Sequence, residues 1–305
     1  MWIIALVLLL AAFDFIFYHF AFNNVFKKPK RSTYVPPAYK ETPHYIESRK
    51  GMKIMDEIHC DDLFIKSFDD LKLHARLYYS PDGIGKKFIL GIHGYKSYAR
   101  PEFGPYIEFY RSLGFSMLLP DDRAHRPSEG EYITLGVHDR IDCVYWANYL
   151  VQRFGEDVEI YLHGVSMGAA TVLAASSEED LPLQVKGIIA DCGYTCIRDE
   201  LSYQLKKMHF PVNYALSKLE KMCIKKIGFG FCEYSPVEQV KNAKAPILVV
   251  HGGKDQMVPP HMAREIYEAV SSRKMLLEVP EAIHAESICI EREKYQNTIR
   301  EFFNI

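Results

Sequence analysis

Residues 158–177 read VEIYLHGVSMGAATVLAASS. The first six form a short apolar run of strand character, and from 167 onward the small and apolar residues recur at helical spacing. Between them Gly164, Val165, Ser166, Met167 and Gly168 turn the chain from strand to helix with a serine at the apex. This is the context that a G-x-S-x-G nucleophile turn requires. The glycines have a steric reason, because side chains two positions before and after the serine would collide across so tight a turn. The same turn puts the backbone N–H of Met167 at a helix N-terminus, where it can face a developing negative charge.

Working outward, short apolar runs recur at 88–93, 115–120, 158–163, 185–190, 246–251 and 275–279. Helical-period stretches fall between them at 106–113, 137–154, 167–177 and 262–271. Residues 62–67 and 71–79 alternate apolar and polar positions and predict an opening antiparallel pair. Short buried runs alternating with amphipathic helices predict an α/β fold, a mostly parallel eight-stranded sheet with helices on both faces. Residues 198–230 break the alternation. Leu201, Leu205 and Met208, then Leu216, Leu219 and Met222, have helical spacing, and seven basic side chains oppose three acidic ones over 198–226. We read this insertion as a small helical cap.

A serine is a weak nucleophile without a base, and the base needs an acid to hold it. Asp255 follows the run 246–251 and His284 follows the run 275–279, so both are expected at the edge of the sheet where Ser166 lies. The catalytic set predicted is therefore Ser166, His284 and Asp255. Asp191, after the run 185–190, is a rival for the acid, and His251 and His261 are rivals for the base. His163 and Glu281 are read as structural and as a solvated loop charge. An oxyanion needs two donors, and the backbone N–H groups of Met167 and of Tyr95, in the His93-Gly94-Tyr95 loop, are the candidates.

The chain has 305 residues, with 37 basic and 39 acidic side chains and 48% hydrophobic residues. That composition excludes a disordered chain, and the near-neutral balance argues against a nucleic-acid binder. Seven cysteines without a C-x-x-C pair predict neither a disulfide scaffold nor a zinc site. Residues 2–22 are apolar except for Asp14 and His19, with Tyr18 beside them. As a helix they would measure about 31 Å, matching a hydrocarbon core of about 30 Å. Asp14 costs roughly 3 kcal/mol on an insertion scale, which the thirteen Leu, Ile, Val and Phe residues outweigh. No basic residue precedes the run and no small-x-small cleavage site follows it, so an uncleaved anchor is predicted rather than a signal peptide. Lys27, Lys28, Lys30 and Arg31 place the following chain in the cytoplasm by the positive-inside rule. Pro29, Pro36, Pro37 and Pro43 then mark a tether. The expected organisation is an anchor at 1–22, a tether at 23–52 and a catalytic domain at 53–305, held at the cell membrane by a single pass.

The chain from about 53 to 305 resembles the α/β-hydrolase superfamily. Within it, the chain is similar to bacterial membrane-anchored relatives of the prolyl-oligopeptidase and acylaminoacyl-peptidase branch. The resemblance rests on His93 and Gly94, the stretch 121–130, the turn at 164–168, and the Asp255 and His284 loops. It implies a cap between the sixth and seventh strands, where 198–230 falls. Ala124 and Arg126 depart from it, standing where such chains usually carry glycine, and so does Ala282, two before His284. The function expected is a serine hydrolase that cleaves a carboxylic ester or thioester through a Ser-His-Asp triad and an acyl-enzyme. A peptidase-like amide hydrolase and a membrane-tethered scaffold are the alternatives. The expected partners are a small acyl substrate and, through the anchor, membrane lipid; no metal or organic cofactor is implied.

Overall fold

The computed structural model describes residues 2–29, 40–83, 85–125 and 127–305. Lys30, Arg31, Pro36, Pro37 and Arg126, which entered the sequence reading, lie outside them. Eight strands form one sheet: β1 (Cys60–Lys66), β2 (Lys72–Tyr78), β3 (Lys87–Ile92), β4 (Ser116–Asp121), β5 (Glu159–Val165), β6 (Val185–Asp191), β7 (Ile247–Gly252) and β8 (Lys274–Val279). Their spatial order is β1-β2-β4-β3-β5-β6-β7-β8. Only the β1–β2 and β2–β4 pairs are antiparallel; from β4 to β8 the sheet is parallel. Strands β3 to β7 read as nearly continuous apolar runs because helices cover both faces of the parallel part.

The helices are α1 (Trp2–Phe26), α2 (Pro43–Glu57), α3 (Ala99–Phe103), α4 (Ile107–Ser112), α5 (Asp139–Phe154), α6 (Met167–Ala175), α7 (Ile197–Lys207), α8 (Val212–Lys226), α9 (Pro236–Gln239), α10 (His261–Ala269), α11 (Ser287–Ile290) and α12 (Arg292–Phe303). On one face Trp146 and Leu150 of α5, Leu173 of α6 and Ile266 of α10 pack against Leu90, Leu162 and Ile188 of the sheet. On the other, Tyr110 of α4 and Tyr295 and Phe302 of α12 meet Ile89, Tyr161 and Leu248. Period-2 alternation along each strand feeds the two cores in turn. The insertion between β6 and β7 carries α7 and α8, the helical cap.

Among the described residues one helix, α1, is long and apolar enough to cross a membrane. Leu6 to Leu10, Phe13, Ile16 and Phe20 are exposed, as a lipid-facing surface requires. The helix runs four residues past the expected end, because its last turns are part of the folded domain. Tyr18, Phe22 and Phe26 are buried with Leu216 and Leu219 of α8 and with Phe231. The Phe26 carbonyl then accepts from the N–H of Ile133 at 2.6 Å, and the Lys28 N–H donates to the Glu131 carbonyl at 2.8 Å. Asp14 is not solitary: it accepts from the Tyr214 hydroxyl at 2.8 Å and pairs with Lys218 at 2.7 Å. An intramembrane carboxylate is expected to find such partners. Within the stretch read as a tether, Thr42 caps α2, its hydroxyl accepting from the Tyr45 N–H at 3.2 Å, and Pro43 opens the helix.

Candidate active site

Ser166 joins β5 to α6 with φ 57° and ψ −116°, a conformation that costs a non-glycine residue about 1–3 kcal/mol. Its neighbours make the turn sterically feasible. A Cβ on Gly164 would lie 2.1 Å from the Gly168 carbonyl oxygen, and one on Gly168 would lie 2.0 Å from that of Ile92. The Ser166 N–H donates to the Asp191 carbonyl at 2.8 Å, which ties the turn to the neighbouring strand β6. Met167 is buried at the first position of α6.

The imidazole of His284, on the loop after β8, joins two other strand ends. Its Nδ1 lies 2.7 Å from Oδ2 of Asp255, on the loop after β7, and its Nε2 lies 2.9 Å from the Ser166 hydroxyl. Oδ1 of Asp255 accepts from the N–H groups of Met257 at 2.8 Å and Val258 at 3.0 Å. Burial alone would raise the pKa of Asp255, but hydrogen bonds and charge from His251 and His284 hold the carboxyl well below the usual range. For His284 burial works downward, and the Asp255 hydrogen bond and charge outweigh it, leaving the imidazole above its ordinary value. With the carboxylate on Nδ1, that nitrogen carries the proton and Nε2 offers a lone pair.

A fourth group stands at the same nitrogen. The Cys192 thiol, immediately after β6, lies 3.9 Å from His284 Nε2. Cys192, Asp255 and His284 form a cluster whose donor atoms all lie within 4.8 Å of one another. This overturns the expectation of a self-contained Ser-His-Asp triad serving an ester or thioester. The acid–imidazole pair carries a thiol in its compact cluster, with the Ser166 hydroxyl as a further group on Nε2. The physical reason is strand register. Val165 pairs with Asp191 across β5 and β6, so the next residue of each strand, Ser166 and Cys192, emerges beside the other. Burial pushes the Cys192 thiol well above its ordinary pKa, so it stays protonated. Both imidazole nitrogens already face hydrogen-bond partners, which suits the cluster to proton transfer.

The rival side chains make other contacts and do not reach the Ser166 hydroxyl. Asp191 is fully buried and accepts from the hydroxyls of Tyr295 at 3.0 Å and Tyr106 at 3.4 Å, and burial raises its pKa to about 6. His251 bonds the Val258 carbonyl at 2.9 Å and stands behind the acid, 3.4 Å from Oδ2 of Asp255, and His261 opens α10. His163 meets the Tyr110 hydroxyl at 2.9 Å, and burial lowers its pKa to about 3. Glu281 pairs with Lys254 on the surface.

Gly94, Tyr95, Ser166 and His284 line a cavity of about 580 Å³, with Met257 and Ile283 supplying apolar wall. Two buried histidines fasten its Tyr95 side. Nε2 of His93 accepts from the Asp122 N–H at 3.0 Å, and Nε2 of His125 accepts from the Lys96 N–H at 3.1 Å. Burial depresses both imidazoles, which therefore remain neutral acceptors. Ala124, in the same loop, takes φ 59°, a conformation that glycine would adopt without strain. The Tyr95 hydroxyl donates to the Val25 carbonyl at 2.7 Å, and Lys96 Nζ donates to the Asn24 carbonyl at 2.5 Å. These are end carbonyls of α1, so the apolar helix is capped by the loop that walls the cavity. Thr42 at the N-cap of α2, His44 within that helix and the buried Glu102 complete that wall. None of these had a sequence signal; Cys192 and His125 were visible only as an isolated cysteine and as part of the stretch 121–130.

Comparison with known proteins agrees with this architecture. The chain is 26% identical over 205 residues to YqkD of Bacillus subtilis, covering 65% of each chain. It is 29% identical over 200 residues to the membrane protein YNL320W of Saccharomyces cerevisiae, covering 64% of this chain and 62% of that one. It thus spans a little under two thirds of the length of these relatives. The structure superposes on the Pyrococcus furiosus esterase Pf2001 with a TM-score of 0.68 at 21% identity, over 91% of this chain and 97% of the esterase, which establishes a shared fold. The profile of the prolyl oligopeptidase family matches residues 129–286, just over half of the chain, a span that includes Ser166, Asp255 and His284. The chain has the α/β-hydrolase fold and belongs to the prolyl oligopeptidase family.

Proposed function

We propose that the protein hydrolyses carboxylic acyl bonds, esters in preference to amides, with Asp255 and His284 as the proton relay. The observation that carries this reading is the bonded series Asp255 Oδ2, His284 Nδ1 and His284 Nε2 at the mouth of an apolar-walled cavity. The groups that Nε2 can deprotonate are the Ser166 hydroxyl at 2.9 Å and the Cys192 thiol at 3.9 Å, and the first stands on the strained turn where a substrate carbonyl can approach. Cys192 stays a neutral thiol beside Nε2 and limits where the imidazole can swing. The backbone N–H groups of Tyr95 and Met167 are the donors assigned to the carbonyl oxygen as it gains charge. Asp255 orients the imidazole and stabilises it once protonated.

The substrate reading is an acyl ester with a hydrocarbon chain, supported by the apolar wall at Met257 and Ile283 and by an apolar helix ending against Tyr95. The basic residues after α1, Lys27 and Lys28, favour a single-pass arrangement with the enzyme domain on the cytoplasmic side. The test is a series of nitrophenyl esters from two to twelve carbons beside aminoacyl anilides, with His284→Ala as control. Ester turnover that falls by roughly 10⁴-fold in the variant is expected. Anilide turnover above ester turnover would reverse the preference, and turnover of neither would refute the reading.

A further inference from the structure

We propose that the groove between α1 and α8 is a binding site for an anionic phospholipid of the bilayer, with its phosphate held by Lys221 and Lys225. The groove encloses about 570 Å³ and has a mixed lining. Ala11, Phe15 and Met222 supply its apolar floor, and lysines of α8 form its rim. Among the described residues nothing balances the charge on that rim. Asp14 is consumed by Lys218 and Tyr214. Glu220, the one acidic residue of α8, pairs with Arg198 and accepts from the Phe231 N–H, on the other side of the helix. Lys226 sits over the Phe22 ring, 5.2 Å from its centroid. Lys221 and Lys225 are exposed, stand one helical turn apart on the same face, and make no salt bridge or hydrogen bond among the described residues.

The surroundings select a lipid as the occupant. One wall of the groove is the membrane helix itself. Along α1 its floor continues one turn toward the N-terminus from Ala11 to Val7 and Leu8, which are 58% and 65% exposed. The tip between α7 and α8 adds Met208, 64% exposed, and Phe210, which stacks on Phe17 of α1 at 5.8 Å. Apolar surface thus continues along α1 beyond the groove while α8 supplies the cationic rim, an arrangement that suits an acyl chain and a headgroup. Two lysine ammonium groups with long stems suit a phosphodiester at that boundary. Each lysine near an anionic leaflet is worth about 5-fold in affinity, so the pair contributes roughly 30-fold.

The test is native mass spectrometry of the full chain in a neutral detergent, titrated separately with dioleoylphosphatidylglycerol and dioleoylphosphatidylcholine. We expect phosphatidylglycerol adducts at lower concentration. Lys221→Gln combined with Lys225→Gln should weaken phosphatidylglycerol binding by roughly 30-fold and so remove that preference. The double arginine variant should retain the preference, and so should Lys206→Gln, a cap lysine outside the groove. Equal adducts with the two lipids, or a preference that survives the double glutamine variant, would overturn the proposal. Displacement of the adduct by millimolar inorganic phosphate would also overturn it, because the site would then read the anion and not the lipid. The measurement reports bound lipid and is independent of turnover.

Discussion

Asp255→Asn removes one charge and exchanges one acceptor for a donor, and the structure dictates which end of the new amide points where. Oδ1 of Asp255 accepts from two backbone N–H groups, Met257 at 2.8 Å and Val258 at 3.0 Å. The asparagine carbonyl must keep that position, because the opposite rotamer would set an NH₂ against two N–H donors. The amide NH₂ therefore faces His284 Nδ1, 2.7 Å away. Two donors cannot share that contact, so the imidazole proton moves to Nε2, the nitrogen facing Ser166. It can then no longer accept the serine proton. Loss of the correct tautomer costs about 10⁴-fold in kcat, or ~5.5 kcal/mol in the barrier. The fold is spared because the Oδ1 bonds persist and the side-chain volume is unchanged. Steady-state hydrolysis of a nitrophenyl ester, beside a thermal melt of the same preparation, measures both effects. Retention of more than a tenth of wild-type kcat/KM would refute the relay. A large fall in melting temperature would show instead that the carboxylate's main role is structural.

Three further outcomes follow from the same geometry. The acid limb of kcat/KM should lie above the ordinary imidazole value of about 6.5, since the base acts only when neutral and its pKa is raised in the folded protein; a pH–rate profile with its limb below 6 would contradict this. Phe26→Ala should lower the melting temperature of the full chain by roughly 10 °C, the effect of emptying a fully buried aromatic site. A shift under 2 °C would mean that the end of α1 does not contribute to the domain's stability. The carboxyl of Asp191, raised to about 6 by burial, favours the folded state most when protonated, so its contribution is lost as pH rises from about 4 through 6. Asp191→Asn should flatten that part of the stability–pH curve, and denaturant midpoints at pH 5 and pH 8 will read it; an unchanged slope would refute the assignment.

Periodicity was enough to find all eight strands, because each parallel strand is a short apolar run between amphipathic helices. The cap was legible from the missing strand between β6 and β7. The loop positions of Asp255 and His284 followed from the rule that parallel strands end on one edge. What lay beyond reach depends on register and on long-range packing. The approach of Cys192 to His284 needs the pairing of Val165 with Asp191, which no local pattern encodes. Helix α2 buries only Ser48, Gly51 and Met55, so it shows no apolar stripe and read as a tether. The end of α1 passed for plain anchor because Phe22 and Phe26 look alike whether they face lipid or a protein core. Asp14 was counted as a cost for want of Lys218, some two hundred positions away.

The central claim is that His284, held by Asp255, draws a proton from a group on its Nε2 side. Labelling the full chain with a fluorophosphonate and mapping the modified peptide tests it most directly. The account predicts one adduct, on the Ser166 or Cys192 peptide, that disappears in His284→Ala. No His284-dependent adduct in a folded preparation would contradict it.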